Sequence, residues 1–244
     1  MIAVFGETYD SLLGLRKIMD GGVSRDEPSL VLDLPIFRGR IQGHEVICVT
    51  SGTTNYLSLA SALLAIEKYH PSEAFVLGET SALSPLLHVG DIVIGNRIFV
   101  HGVNFHSQGL PYGTIPGFQP FIYSSIDLAR TMESLSSSMS DISLMRGDII
   151  SGEKKIVDQE EFVSLVLRRY AGKNHLCGYD CNSGGVAIAC EMKKIPFLPL
   201  RAVTYIPYEG EDGQLMERRM SLVGNASVAT LLRAYLGIRS EGND

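Results

Sequence analysis

Positive charge, long apolar runs and cysteine are all scarce in this chain. Its 244 residues carry 21 Lys and Arg against 27 Asp and Glu, a formal net charge of −6. That balance offers no basic face to track a phosphate backbone, so nucleic acid is not an expected partner. No apolar run approaches the roughly 18 residues that a membrane span needs. The opening MIAVFGE turns polar too early for a secretion signal. The expectation is a soluble, cytoplasmic protein with no membrane partner. The four cysteines are Cys48, Cys177, Cys181 and Cys190. Their spacing lacks the CxxC pairs of zinc modules, and His175 is the only histidine nearby. Reduced thiols, at least one of them in the core, are therefore expected, with no metal and no cofactor.

What is present is a β-α alternation from end to end. IAVF (2–5) is a short apolar strand; PIFRGRI (35–41) and HEVICVT (44–50) flank Gln42-Gly43 as a β-hairpin. LSLASALLAIEKY (57–69) has helical periodicity and precedes a buried strand, AFVLG (74–78). GDIVIGNRIFV (90–100) is β-rich, and the glycine- and proline-rich stretch 101–120 is a loop. Further on, helices are expected over 124–140, 158–171, 184–194 and 225–237, and strands over 147–151, 175–180 and 195–205. A hydrophobic fraction of 45% fills one core, and no linker divides the chain, so residues 1–244 form a single domain. Apolar strands alternating with helices predict a three-layer α/β/α fold around a mainly parallel, mixed central sheet. In such folds the C-terminal strand ends carry the site, which draws attention to Tyr205 at the end of RAVTY (201–205).

Three stretches together resemble one family: LSPLLHVGDIVIGNRIFVHGVNFHSQGLPYGTIPGF (83–118), RGDIISGE (146–153) and GGVAIACEMKKIPFLPLRAVTY (184–205). They are similar to the nucleoside phosphorylase/nucleosidase superfamily, and within it to methylthioadenosine/S-adenosylhomocysteine nucleosidases. The resemblance runs from Ile2 to about Gly237 and implies cleavage of a nucleoside's N-glycosidic bond by water or phosphate. It also implies three carboxylates: one protonating the base, one positioning water, one gripping the ribose hydroxyls.

Carried over residue by residue, those positions are substituted. The strand-end acid falls on Tyr205, whose phenol is ordinarily a far weaker acid than a carboxyl group. The ribose-gripping glutamate falls on Asn182, beside Cys181, in YDCNSGG. The first-loop glutamate falls on Ser11 counted without gaps, on Asp10 with a shift of one, and Glu7 is a further candidate. The small loop after the central strand becomes Gly78-Glu79-Thr80-Ser81. That places a carboxylate where phosphorylases bind phosphate, a repulsion on the order of 4 kcal/mol at an effective dielectric of 20. The base-stacking aromatic falls on Lys155, with Ile156 keeping the apolar position beside it.

Each substitution taken alone has a plain structural explanation: Tyr205 as a packed aromatic, Glu79 as a carboxylate favoured by a helix start. Together they leave three readings open. One is a nucleosidase with a rebuilt site, drawing on Asp10, Glu79, Tyr205 or Asp180. Another is a non-catalytic relative that binds a metabolite or a protein partner. The third is ordinary methylthioadenosine/S-adenosylhomocysteine hydrolysis. His101 and His106 lie in the long loop and read more readily as structural. The apolar Phe118, Phe121 and Ile122 beside YGTIPG (112–117) predict burial against a second copy. Light scattering is expected to return twice the mass of one chain, and a clean monomer would count against that homodimer.

Overall fold

A computed structural model describes the chain except residues 118, 157–158, 171–174, 208–212 and 242–244, and the side chains of the rest except 159, 165–167, 213–223 and 241. The strands are β1 (Ile2–Gly6), β2 (Ser24–Glu27), β3 (Ile36–Ile41), β4 (His44–Thr50), β5 (Glu73–Ala82), β6 (Ile92–Val100), β7 (Ile122–Tyr123), β8 (Leu144–Ser151), β9 (Leu176–Asp180) and β10 (Phe197–Tyr205). The helices are α1 (Tyr9–Lys17), α2 (Asn55–Tyr69), α3 (Ile126–Ser136), α4 (Gln159–Glu161), α5 (Ser183–Lys193) and α6 (Gly213–Glu241). Among the described residues, the expected helix over 158–171 is α-helical at α4 and continues as π-helix over Phe162–Leu167. The wider turn accompanies burial of Phe162 and Tyr170 in one cluster with Phe99 and Ile150.

The strands form one mixed sheet, ordered β10-β6-β8-β9-β5-β1-β4-β3-β2, and β10 also pairs with β5. That extra pairing closes β5, β10, β6, β8 and β9 into a ring, from which β1, β4, β3 and β2 extend as an open wing. The long strand β5 makes this possible by changing partner along one edge. It pairs with β1 up to Gly6↔Leu77 and with β9 from Ser81↔Tyr179. Residues 78–81, expected as a loop, belong to this strand, because β10 keeps pairing alongside them from Arg201↔Gly78 onward.

Side-chain alternation sends successive residues to opposite faces. Ile2 and Val4 enter a core with Phe75, Leu77, Leu198 and Leu200 beneath α1, α3 and α6. Ala3 and Phe5 enter the other, with Val76 and Val203 beneath α2 and α5. The hairpin turn has positive φ at both Gln42 (51°) and Gly43 (77°), the two-residue geometry that matches strand twist. Asp20 accepts both turn amides at 3.0 and 2.8 Å. All four cysteines are free and buried. Phe121 and Ile122 are half-buried against the chain's own core, so they supply less free apolar surface than the sequence suggests. Phe118 lies outside the described residues.

Helices α2 and α5 cross with almost no space between them. A Cβ built on Gly185 would stand 2.1 Å from the Asn55 carbonyl oxygen and 2.2 Å from Ser58 Oγ. Gly237, in α6, has nothing within 4 Å of its built Cβ. Gly185→Val is therefore expected to lower the unfolding free energy by about 2–3 kcal/mol. Gly237→Ala should be neutral or stabilising by up to about 1 kcal/mol. Urea titration of both variants checks this.

Candidate active site

The C-terminal ends of β1, β4, β5, β8, β9 and β10 surround a cavity of about 480 Å³, within the size range of small-molecule sites. Thr8, Ser11, Thr53, Thr54, Thr80, Ser81 and Thr204 line it, as do Glu7, Glu79, Glu153 and Asp180, the last with its side chain fully buried against Arg201. Lys155, Tyr179 and Cys181 complete the described lining. Beneath this surface lies Arg201, with no exposure at all.

The sequence puts Arg201 in the middle of an otherwise apolar strand, where its charge must be satisfied locally. Its side chain crosses over β5 at Gly78, where a Cβ would meet Nη1 at 3.0 Å. On the far side it reaches the edge left open between β1 and β9. Nη1 donates to the Leu77 carbonyl at 3.1 Å, and Nε and Nη2 donate to the Glu79 carbonyl at 3.2 and 2.5 Å. Nη2 also donates to Glu7 Oε2 at 3.1 Å, while Nε stands 3.3 Å from Asp180 Oδ2.

Asp180 is anchored on its other side by the start of α5. It accepts from Ser151 Oγ at 2.6 Å, from the amides of Asn182 and Ser183 at 3.2 and 3.1 Å, and from Ser183 Oγ. Glu7 keeps an open side toward the cavity. Burial pushes its pKa above the ordinary 4.5; Arg201 opposes that, while the Asp180 and Glu79 carboxylates reinforce it. Burial likewise raises Glu153, which accepts the first α2 amide, that of Asn55, at 3.1 Å. Thr204 Oγ1 donates to Glu79 Oε2 at 3.4 Å.

Of the residues expected from sequence, Ser11, Glu79, Lys155 and Cys181 line the cavity. Ser11 exchanges hydrogen bonds with Thr8 in a capping box that opens α1. Asp10 is exposed on that helix and lies away from the lining, so Glu7 is the first-loop carboxylate that the fold brings to the site. Ile156 is 1% exposed within the apolar cluster behind the wall. Asn182 is fully buried, donating from Nδ2 to Ser51 Oγ at 3.2 Å, and its Oδ1 has no partner among the described residues. Tyr205 is half-buried at the end of β10 and stands outside the described lining.

The two loop histidines separate. His101 packs against Tyr112, Tyr170 and Tyr179, and burial pushes its pKa down to about 4. It is neutral at physiological pH. His106 is exposed on a 3-10 turn. Sequence reasoning missed Arg201 and Glu153; the signal for the former was a lone cation inside an apolar strand.

The pattern of the phosphorylase superfamily matches residues 26–235. Curated 5′-methylthioadenosine/S-adenosylhomocysteine nucleosidases of Bacillus thuringiensis subsp. konkukian and Bacillus cereus (strain B4264) are each 25% identical over 205 residues, covering 84% of this chain and 85% of theirs. The Neisseria meningitidis nucleosidase in complex with methylthio-immucillin-A has a TM-score of 0.85 at 18% identity, over 97% of this chain and 98% of that one. A putative nucleosidase from Borrelia burgdorferi bound to adenine has a TM-score of 0.86 at 17% identity, over 98% and 99%.

Replacing Arg201 with Leu strands Glu7 and Asp180 in a buried setting. The expected loss is about 3–5 kcal/mol of unfolding free energy at neutral pH. It should shrink on acidification, as the stranded Glu7 carboxylate takes up a proton. Urea unfolding at several pH values reads both effects.

Proposed function

Because this chain belongs to the phosphorylase superfamily, we propose that its cavity binds a purine-type nucleoside and hydrolyses the N-glycosidic bond. The observation that carries this reading is the set of three carboxylate residues, Glu7, Glu79 and Glu153, beside Lys155 in the described lining. As a base leaves a ribose, positive charge builds on the sugar, and fixed carboxylates stabilise it. The same field opposes a phosphate nucleophile, so water is the acceptor. The nucleosidase names of the relatives above support that choice.

In this mechanism the C1′–N bond breaks with its electron pair going to the base. Water adds through oxygen to C1′, and its proton passes to Glu7. A raised carboxylate pKa suits a base, since proton affinity grows with it. Arg201 fixes Glu7 from behind, and hydroxyl-bearing residues of the lining such as Thr53 and Thr54 offer partners for a ribose. We further infer a homodimer, supported by exposed Tyr56, Leu86, Tyr123 and Met192.

One observation favours a second reading, binding without turnover: Asn182 and Tyr205, at two positions where the resemblance expects carboxylates, stand outside the described lining. One assay separates the two. The protein is incubated with methylthioadenosine, S-adenosylhomocysteine and inosine, each with and without phosphate, and free base is followed by chromatography. Phosphate-independent release supports hydrolysis. Thermal stabilisation by a nucleoside without release supports binding alone.

Glu7→Gln keeps an acceptor for Arg201 but cannot take a proton. It should lower kcat by about 10²-fold or more. Because Glu7 must be ionised to act, wild-type activity should fall as pH drops through a value above 4.5 and hold on the alkaline side. An acid limb that persists unchanged in residual Glu7→Gln activity would remove Glu7 from this role.

A further inference from the structure

A departing purine takes the electron pair of the broken bond and leaves as an anion unless a proton meets it. Two carboxyls of the cavity are committed elsewhere. Asp180 accepts from Ser151, Ser183 and two amides and stands against Arg201, the partners of an anion. Glu7 accepts from Arg201 and serves as the base in the mechanism above. Glu153 differs from both. It is exposed at the cavity, and its Oε2 accepts from the Asn55 amide at 3.1 Å. Burial, chiefly, holds its pKa above the ordinary 4.5, and Asn55 opposes that; no charged group among the described residues contributes.

Position separates Glu153 from Glu7 as well. Glu7 follows β1 and Glu153 follows β8, and β9 and β5 lie between those strands in the sheet. The charges that act on Glu7 are those of Arg201, Asp180 and Glu79. Cys181, just past the end of β9, is within electrostatic reach of both Glu7 and Glu153. The two carboxyls thus line the cavity on either side of Cys181. In glycoside cleavage such a pair divides the work: one member gives a proton to the leaving group, and the other takes one from water.

We propose that Glu153 is the catalytic acid that protonates the departing base. This deepens the hydrolase reading and rests on it. The hydrogen bond from Asn55 survives protonation, because one oxygen of a carboxylic acid still accepts while the other carries the proton. A base seated against Glu153 also displaces water from it, which favours the neutral acid further. As the C1′–N bond breaks, its electron pair goes to the base, and the proton on Oε1 moves to a ring nitrogen. Water adds through oxygen to C1′ and passes a proton to Glu7. The base leaves neutral; Glu153 has lost one proton and Glu7 has gained one, and exchange with solvent restores both.

Leaving groups of different basicity test this. The purine probe is methylthioadenosine, S-adenosylhomocysteine or inosine, whichever is cleaved fastest; the activated probe is 4-nitrophenyl β-D-ribofuranoside, whose phenolate departs without a proton. In Glu153→Gln, kcat for the purine nucleoside should fall by about 10²-fold or more, while turnover of the nitrophenyl riboside stays within about threefold of wild type. That retained activity also shows that the variant is folded. Glu7→Gln should lose both. With the nitrophenyl riboside the rate should keep the alkaline plateau that Glu7 alone sets. With the purine nucleoside, ionisation of Glu153 should add a fall as pH rises, and that limb should vanish from the residual activity of Glu153→Gln. Equal losses on both substrates, or no loss on the purine nucleoside, would overturn this role and leave the hydrolase reading standing. Wild-type turnover of none of the probes would overturn the hydrolase reading and this inference with it.

Discussion

A guanidinium with no solvent exposure has to be met on every side, because moving an ion out of water costs several kcal/mol even after the surroundings relax. Arg201 is met by carboxylates from the ends of β1 and β9 and by two carbonyls of β5. Four strands are thereby fixed relative to one another at the floor of the cavity. The contact depends on Gly78, which leaves the guanidinium a path across β5, and on the gap in β5's pairing between Leu77 and Ser81. Local backbone, sheet topology and the electrostatics of the site meet at this one side chain.

A second constraint orders the rim. Asn55, at the start of α2, accepts from the Gly185 amide and from Ser151 Oγ, both at 2.9 Å, and donates from Nδ2 to the Gly152 carbonyl at 3.2 Å. Ser58 Oγ donates to the Asn182 carbonyl at 2.9 Å. The glycines of SGGV let these polar groups approach, so the starts of α2 and α5 and the end of β8 form one hydrogen-bonded unit. Asp180 belongs to both constraints, since it holds the start of α5 and faces Arg201. Side chains here act through a scaffold with little freedom to readjust.

Much of this was legible in the chain. The apolar strands 2–5 and 74–78, the Gln42-Gly43 turn and the helix beginning GGVAIAC declare themselves by composition and period, because burial on both faces demands unbroken apolar runs. Other elements gave weak signals. β2, SRDE, is a polar edge strand held by its partner, and α1, YDSLLGLRK, is short with only three buried positions. The continuation of β5 through Gly78-Glu79-Thr80-Ser81 is imposed by β10 and β9 pairing from far along the chain. At the site, Glu79 was visible by register, but the choice among Glu7, Asp10 and Ser11 was not. A one-residue slip in a loop turns a side chain away, and only the reach of Arg201 picks out Glu7.

The ring formed by β5, β10, β6, β8 and β9 also bears on how the chain comes to be folded at all. Its first strand begins at Glu73 and its closing strand ends at Tyr205. Contacts of such sequence separation carry a large loop-closure entropy and form late. During synthesis, the edge of β5 that pairs with β10 must wait unpaired until β10 emerges from the ribosome. The open wing of β1, β4 and β3 can assemble earlier, because its strands lie close together in the chain. Completion of the cavity floor is then a late event in biogenesis, and a nascent chain stopped before β10 presents an apolar strand edge to its neighbours.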